Sequence, residues 1–187
     1  MIDLIITMKY AFPHIQLNSF NLACFFRCTL AILCFHLAGS VIMEFLKITS
    51  DTDCKCLDYA VKQDTGNKYV RAIINMNLHD GDFTTFWESK KERFAGESCK
   101  TICKAKGVSV NILCDDNLNC ILEKYRTTKT LRNKYGYVCI FKFKANSGLL
   151  WKSTPDYSRG DKYHYTFFKC DSFDISMINV VSILPLS

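Results

Sequence analysis

Two cysteine spacings constrain this chain more than any other feature. Cys54-Lys55-Cys56 lies in a stretch that reads as extended, and Cys99-Lys100-Thr101-Ile102-Cys103 lies in one that reads as helical. Residues i and i+2 of a strand share a face, and so do residues i and i+4 of a helix. From the rises of the two elements, both same-face separations are roughly 6–7 Å. A strand bearing the first pair can therefore be stapled to a helix bearing the second by two side-by-side disulfides. That expectation fixes an architecture and an oxidising compartment together. It names no activity.

Of the eleven cysteines, Cys24, Cys28 and Cys34 fall in the apolar N-terminal region. The others are Cys54, Cys56, Cys99, Cys103, Cys114, Cys120, Cys139 and Cys170, all disulfide candidates. Their number is even, but spacing alone does not set their connectivity. Strand-to-helix stapling resembles, in geometry only, the cysteine-stabilised αβ motif of defensin-like peptides. The order of the two pairs is reversed here, and the resemblance implies no function. The competing reading is a zinc site of Cys54, Cys56, Cys99 and Cys103 in a cytosolic domain. C-x-C is a poor half-site for that metal, whose knuckles normally carry a longer spacer. The preferred reading therefore has no metal and no cofactor.

Residues Thr29 to Met43 form an apolar run too short for a membrane span and of the length of a signal-peptide core. Ala38-Gly39-Ser40 places small residues at a cleavage position. Residues 1–40 are read as a signal peptide or membrane anchor, and 41–187 as one domain. The expected location is secreted or periplasmic. An uncleaved segment would anchor the chain in a membrane, and a true start at Met43 would leave it in the cytosol.

After residue 40 the hydrophobic pattern alternates in period. Strands are expected at Phe45–Thr49, Lys68–Leu78, Val108–Cys114, Tyr137–Lys144, Leu149–Ser153, Lys162–Cys170 and Met177–Leu184. Thr85 with Glu88 is a capping-box pattern opening a helix, a second helical piece runs Glu97–Lys106 to Gly107, and a third spans Leu118 to about Arg132. The expected class is α+β, a single disulfide-stabilised domain with a mixed, partly antiparallel sheet packed by two or three helices.

Net charge is +6, too mild a balance for a dedicated nucleic-acid binder. From Tyr135 to Lys169, basic and aromatic residues interleave. Lys142, Lys144, Trp151, Arg159, Lys162, Tyr163 and His164 are the candidate binding residues, with Trp151 or Tyr163 exposed among the basic side chains as a stacking platform. An acidic glycan, a nucleic acid or a protein surface would suit such a face. The expected function is an exported binding protein. The alternative is a small hydrolase or toxin-like transferase using His79 or His164, although no nucleophile elbow, zincin motif or phosphate loop is present. Asp115-Asp116-Asn117 reads as a strand-to-helix turn, since Arg126 stands where an EF-hand loop needs glutamate.

The cleavage pattern makes Val41 the expected first residue of the native protein. N-terminal sequencing of material from its own source checks this; recovery of Met1, Met8 or Met43 would overturn it.

Overall fold

The computed structural model describes residues 43–60, 63–153 and 163–186. The signal or anchor reading of residues 1–40, and the candidates Arg159 and Lys162, lie outside them. Six strands, β1 (Lys68–Ile73), β2 (Val108–Leu113), β3 (Tyr137–Phe143), β4 (Gly148–Trp151), β5 (His164–Lys169) and β6 (Ile178–Pro185), form one sheet in the order β4-β5-β2-β1-β3-β6. With the α-helices described below they make an α+β domain.

Every pairing is antiparallel, so the mixed sheet expected from strand–helix alternation is not formed. The reason lies in the connection from β2 to β3. Those two strands do run parallel, as a helical crossover makes them, but β1 lies between and pairs with both.

The sheet is rolled. Only Lys144 to Ser147 connect β3 to β4, which stand four strand spacings apart. In a flat sheet that is about 19 Å. The five steps from Phe143 to Gly148 reach at most about 18 Å when fully extended, and Asn146 turns back at φ 62°. The rings report the same curvature. Phe143 on β3 stacks on Phe167 on β5 with centroids 4.1 Å apart, although β1 and β2 separate their strands. Rolling gathers the inward-facing Tyr69, Ile73, Val108, Val110, Cys139, Phe141, Phe143, Leu150, Phe167 and Ile178 around Phe83 as one core. On β3 the odd-numbered Tyr137, Cys139, Phe141 and Phe143 thus share the inward face.

Two groups of helices cover the outer face. The helix α4 (Leu118–Thr127) lays Ile121, Leu122 and Tyr125 over Val70, Ala72, Val138 and Ile140. A break at Thr128 separates it from the single turn α5 (Lys129–Arg132), so the expected long helix is two pieces. At the β4–β5 end, α3 (Cys99–Lys106) and the segment before β1 cover Trp151 and Phe168. Ser98 caps α3 by accepting the Thr101 N–H, and Thr85 with Glu88 makes the expected reciprocal box at α2 (Phe86–Lys90). Gly107 ends α3 where β5 crosses: a Cβ there would lie 2.1 Å from the Thr166 methyl.

Phe45 to Thr49, expected as a strand, holds the helical turn α1 (Leu46–Thr49). The Asp171 carboxylate accepts the N–H groups of Leu46 (2.7 Å) and Lys47 (3.1 Å), supplying from a distant loop the cap that the local sequence lacks.

The staple exists, joined Cys54–Cys99 and Cys56–Cys103, with Cα–Cα distances of 5.2 and 5.1 Å. The first pair is not on a strand. Lys55 sits at φ −77°, ψ 67°, and the Cys56 N–H donates to the Cys54 carbonyl at 2.8 Å, an inverse γ-turn that leads into a 3-10 turn. Both sulfurs still meet one helix face. The four sulfurs are consumed pairwise, which leaves none of them for the zinc alternative. Of the eight disulfide candidates, Cys114, Cys120, Cys139 and Cys170 are not bridged and stand as free thiols. Cys139 faces the core from mid-β3, Cys170 Sγ donates to the Asn146 carbonyl at 3.2 Å, and Cys114 and Cys120 are exposed either side of a turn.

A bridge closing a loop of 45 residues contributes about 4 kcal/mol in the chain-entropy account. Once it is made, the second bridge closes a ring of about eight residues and adds about 2.5 kcal/mol. Cys99→Ala with Cys103→Ala should therefore lower the unfolding free energy of the oxidised protein by up to about 6.5 kcal/mol. In reductant the variant and the parent should denature at nearly the same urea concentration. Equal midpoints under oxidising conditions would contradict the account.

Candidate functional site

The β1–β2 ladder is short. It pairs Lys68 with Leu113, Tyr69 with Ile112 and Val70 with Asn111, and stops there although both strands continue. Backbone carbonyls left unpaired inside a sheet need another donor. Arg71 supplies it. Its Nη1 donates to the Ser109 carbonyl across the gap at 2.6 Å, and its Nε donates to the Asp82 carbonyl. The guanidinium also lies 5.4 Å from the Phe83 ring centre.

Where the strands part, a cleft of about 260 Å³ opens. Arg71 and Ala72 line it from β1, Gly107 to Ser109 from β2 and its approach, Gly81, Asp82, Thr84, Thr85, Phe86 and Ser89 from the turn and helix α2, and Tyr125, Leu131, Lys134 and Tyr135 from the outer cover. Burial lowers the Arg71 pKa from its ordinary value against the opposing pull of Tyr135, Tyr125 and Asp82, yet a guanidinium remains a cation. It carries five donors. Two are taken, and among the described residues the other three meet no acceptor and no carboxylate pairs with it. The Asp82 carboxylate is occupied by the Ile74 N–H (3.3 Å) and the His79 N–H (3.0 Å). Lys134 stands at the edge with its ammonium 5.0 Å from the Tyr135 ring centre. On the cover side, Tyr125 is oriented by Asn111, whose amide donates to its hydroxyl at 3.1 Å. Chemically, this is a hydrogen-bond donor of fixed positive charge at the side of a semi-enclosed space.

The described residues among those singled out from the sequence do not assemble. Trp151 is 7% exposed, stacked between Tyr59 (4.7 Å) and Phe168 (6.4 Å), so it is core and no platform for an incoming ring. Strand alternation turns it outward into the disulfide cover. Lys144 donates to the Ser176 carbonyl at 2.6 Å, and Lys142 pairs across to Asn179 on β6. His164 begins β5, with Tyr163 just before it, on the other side of β1 and β2 from those lysines.

His164 Nδ1 is 2.7 Å from Ser153 Oγ, the distance of a nucleophile–base pair. Ser153, however, is 1% exposed and receives the Thr166 hydroxyl at 2.9 Å. The chain Thr166–Ser153–His164 satisfies buried hydroxyls and binds the end of β4 to β5. His79 is exposed and does not line the cleft. Asn117 stands at the turn before α4, its side chain accepting the Cys114 N–H (2.9 Å) and donating to the Ile112 carbonyl (2.9 Å), as a structural turn requires.

Among the described residues no helix is long and apolar enough to cross a membrane, and no cluster of His, Cys, Asp or Glu is placed to hold a metal. Comparison with protein-family models, curated proteins and solved structures finds no match.

Trp151→Ala should behave as a core truncation, costing about 3–5 kcal/mol of stability. Urea denaturation measures it; a loss under about 1 kcal/mol would restore Trp151 to the surface.

Proposed function

We propose that this chain is an exported, disulfide-clamped binding domain whose cleft at Arg71 takes a small anionic group. One observation carries the reading: a half-buried cation in the wall of a cleft, fixed by two backbone carbonyls and holding three donors that meet no acceptor among the described residues. A half-buried charge left so incompletely paired costs stability unless something else completes its hydrogen bonds. The geometry is pre-formed, since the two fixed bonds hold the guanidinium plane before any ligand arrives. Charged hydrogen bonds of this kind are about twice as strong as neutral ones. Two disulfides support the exported location, because such bonds persist in oxidising compartments.

Titration of isotope-labelled protein with acetate and with inorganic phosphate tests the proposal. The Arg71 Nε–H and Ser109 resonances should move to saturation, while chloride at matched ionic strength leaves them in place. Lys134→Gln, which removes an exposed charge at the edge, should weaken binding between about 1.5- and 5-fold. Diffuse shifts over the basic surface, equal for chloride, would refute the proposal.

A further inference from the structure

The mouth of the cleft is apolar in a way its base is not. Seven large hydrophobic side chains are strongly exposed among the described residues. Singly, such residues are ordinary. Here Ile74 (51% exposed) and Phe86 (60%) both line the Arg71 cleft, and Met76 (64%) follows two residues after Ile74. Leu131 adds a partly buried apolar wall. The exposed apolar surface therefore adjoins the half-buried Arg71 guanidinium.

Charge and size narrow the occupant. Arg71 and Lys134 against Asp82 leave one net positive charge on the lining, which suits a monoanion better than a phosphate dianion. A guanidinium offers planar, paired donors that match the two oxygens of a carboxylate. At about 260 Å³ the cleft is below the usual volume for a drug-sized ligand, roughly 300–1,000 Å³, so it holds the end of a molecule.

We infer that the cleft takes a monocarboxylate with an apolar group a few bonds away, the carboxylate against Arg71 and the apolar group across Ile74 and Phe86. A free fatty acid and the apolar C-terminal residue of a peptide both carry this chemistry. The inference rests on the anion-binding reading above and gives it a ligand class.

The test compares acetate, octanoate, N-acetyl-leucine, N-acetyl-leucinamide and inorganic phosphate on the full domain, followed at the Arg71 and Ser109 resonances. Octanoate, N-acetyl-leucine or both should bind at least about tenfold tighter than acetate, as burial of only two methylenes would give. N-acetyl-leucinamide, which keeps the apolar group but lacks the charge, should not bind. The ratio of octanoate to N-acetyl-leucine affinity tells the two sources apart. Ile74→Ser with Phe86→Ser, both at exposed positions, should reduce the preference over acetate to less than threefold. If acetate binds as tightly as the longer acids, the inference falls while the anion site stands. Phosphate binding tighter than every carboxylate likewise overturns the ligand class. If no probe moves those resonances, the anion-binding reading falls with it.

Discussion

Four residues between β3 and β4 impose the curvature on which the rest of the molecule depends. They are too few to bridge a flat sheet, so the sheet must roll until Phe143 reaches Phe167. Rolling lets one sheet enclose an aromatic core, with no second sheet among the described residues. The curvature also demands close approach at Gly148, where a Cβ would lie 2.1 Å from the Phe168 carbonyl at a φ of 154°. It turns the outer face into a convex surface that one helix cannot cover. Two separate covers result, and the Arg71 cleft lies along the inner edge of one of them, where the β1–β2 ladder ends.

The second cover is held by more than sulfur. Lys106, 1% exposed at the C-terminal end of α3, donates to the carbonyls of Ile48 (2.7 Å) and Ser50 (2.7 Å) and to Thr52 Oγ1 (3.0 Å). All three ammonium protons are spent on the segment that the disulfides also fix, with the Trp87 ring 5.1 Å away. Burial pushes this lysine's pKa down, while the helix C-terminus favours its charge. At the other end of the same segment, Asp64 orders the approach to β1. Burial would raise its pKa, but hydrogen bonds from Asn67, Tyr69 and Gly66 outweigh it and hold it at about 2. Its contribution is present above the ordinary carboxylate range and is lost as pH falls through that value.

Local signals were legible where a residue's partner lies within a few positions. The Thr85–Glu88 box, the end of α3 at Gly107, the alternation in β3 and the two cysteine pairs all have this property, and the structure contains each. The strand reading of Phe45–Thr49 failed because its cap is Asp171, far along the chain. Trp151 was misplaced because interleaved basic and aromatic residues look alike whether the aromatics face a ligand or a cover. The cleft left no trace in the sequence. Arg71 bonds to backbone carbonyls, which have no side-chain signature, and its neighbours Tyr125, Lys134 and Tyr135 come from a different part of the chain. An arginine at an inward-facing position of a strand otherwise rich in apolar residues was the one available sign.

Among the described residues four thiols remain beside the two bridges, and the one sealed deepest has the most bearing on how this protein dies. Cys139 faces the core, where burial first and the nearby Asp82 charge second push its pKa up to about 11. While the sheet is closed it neither ionises nor reaches a bridge. Once the sheet opens, that thiol regains ordinary acidity and meets the two bridges in a mobile chain, together with Cys114, Cys120 and Cys170. Thiolate attack then reshuffles the bonds, and the scrambled chain has no path back except through further exchange. Endurance in an oxidising medium is accordingly set by how often the sheet opens, a rate, more than by the depth of the native minimum.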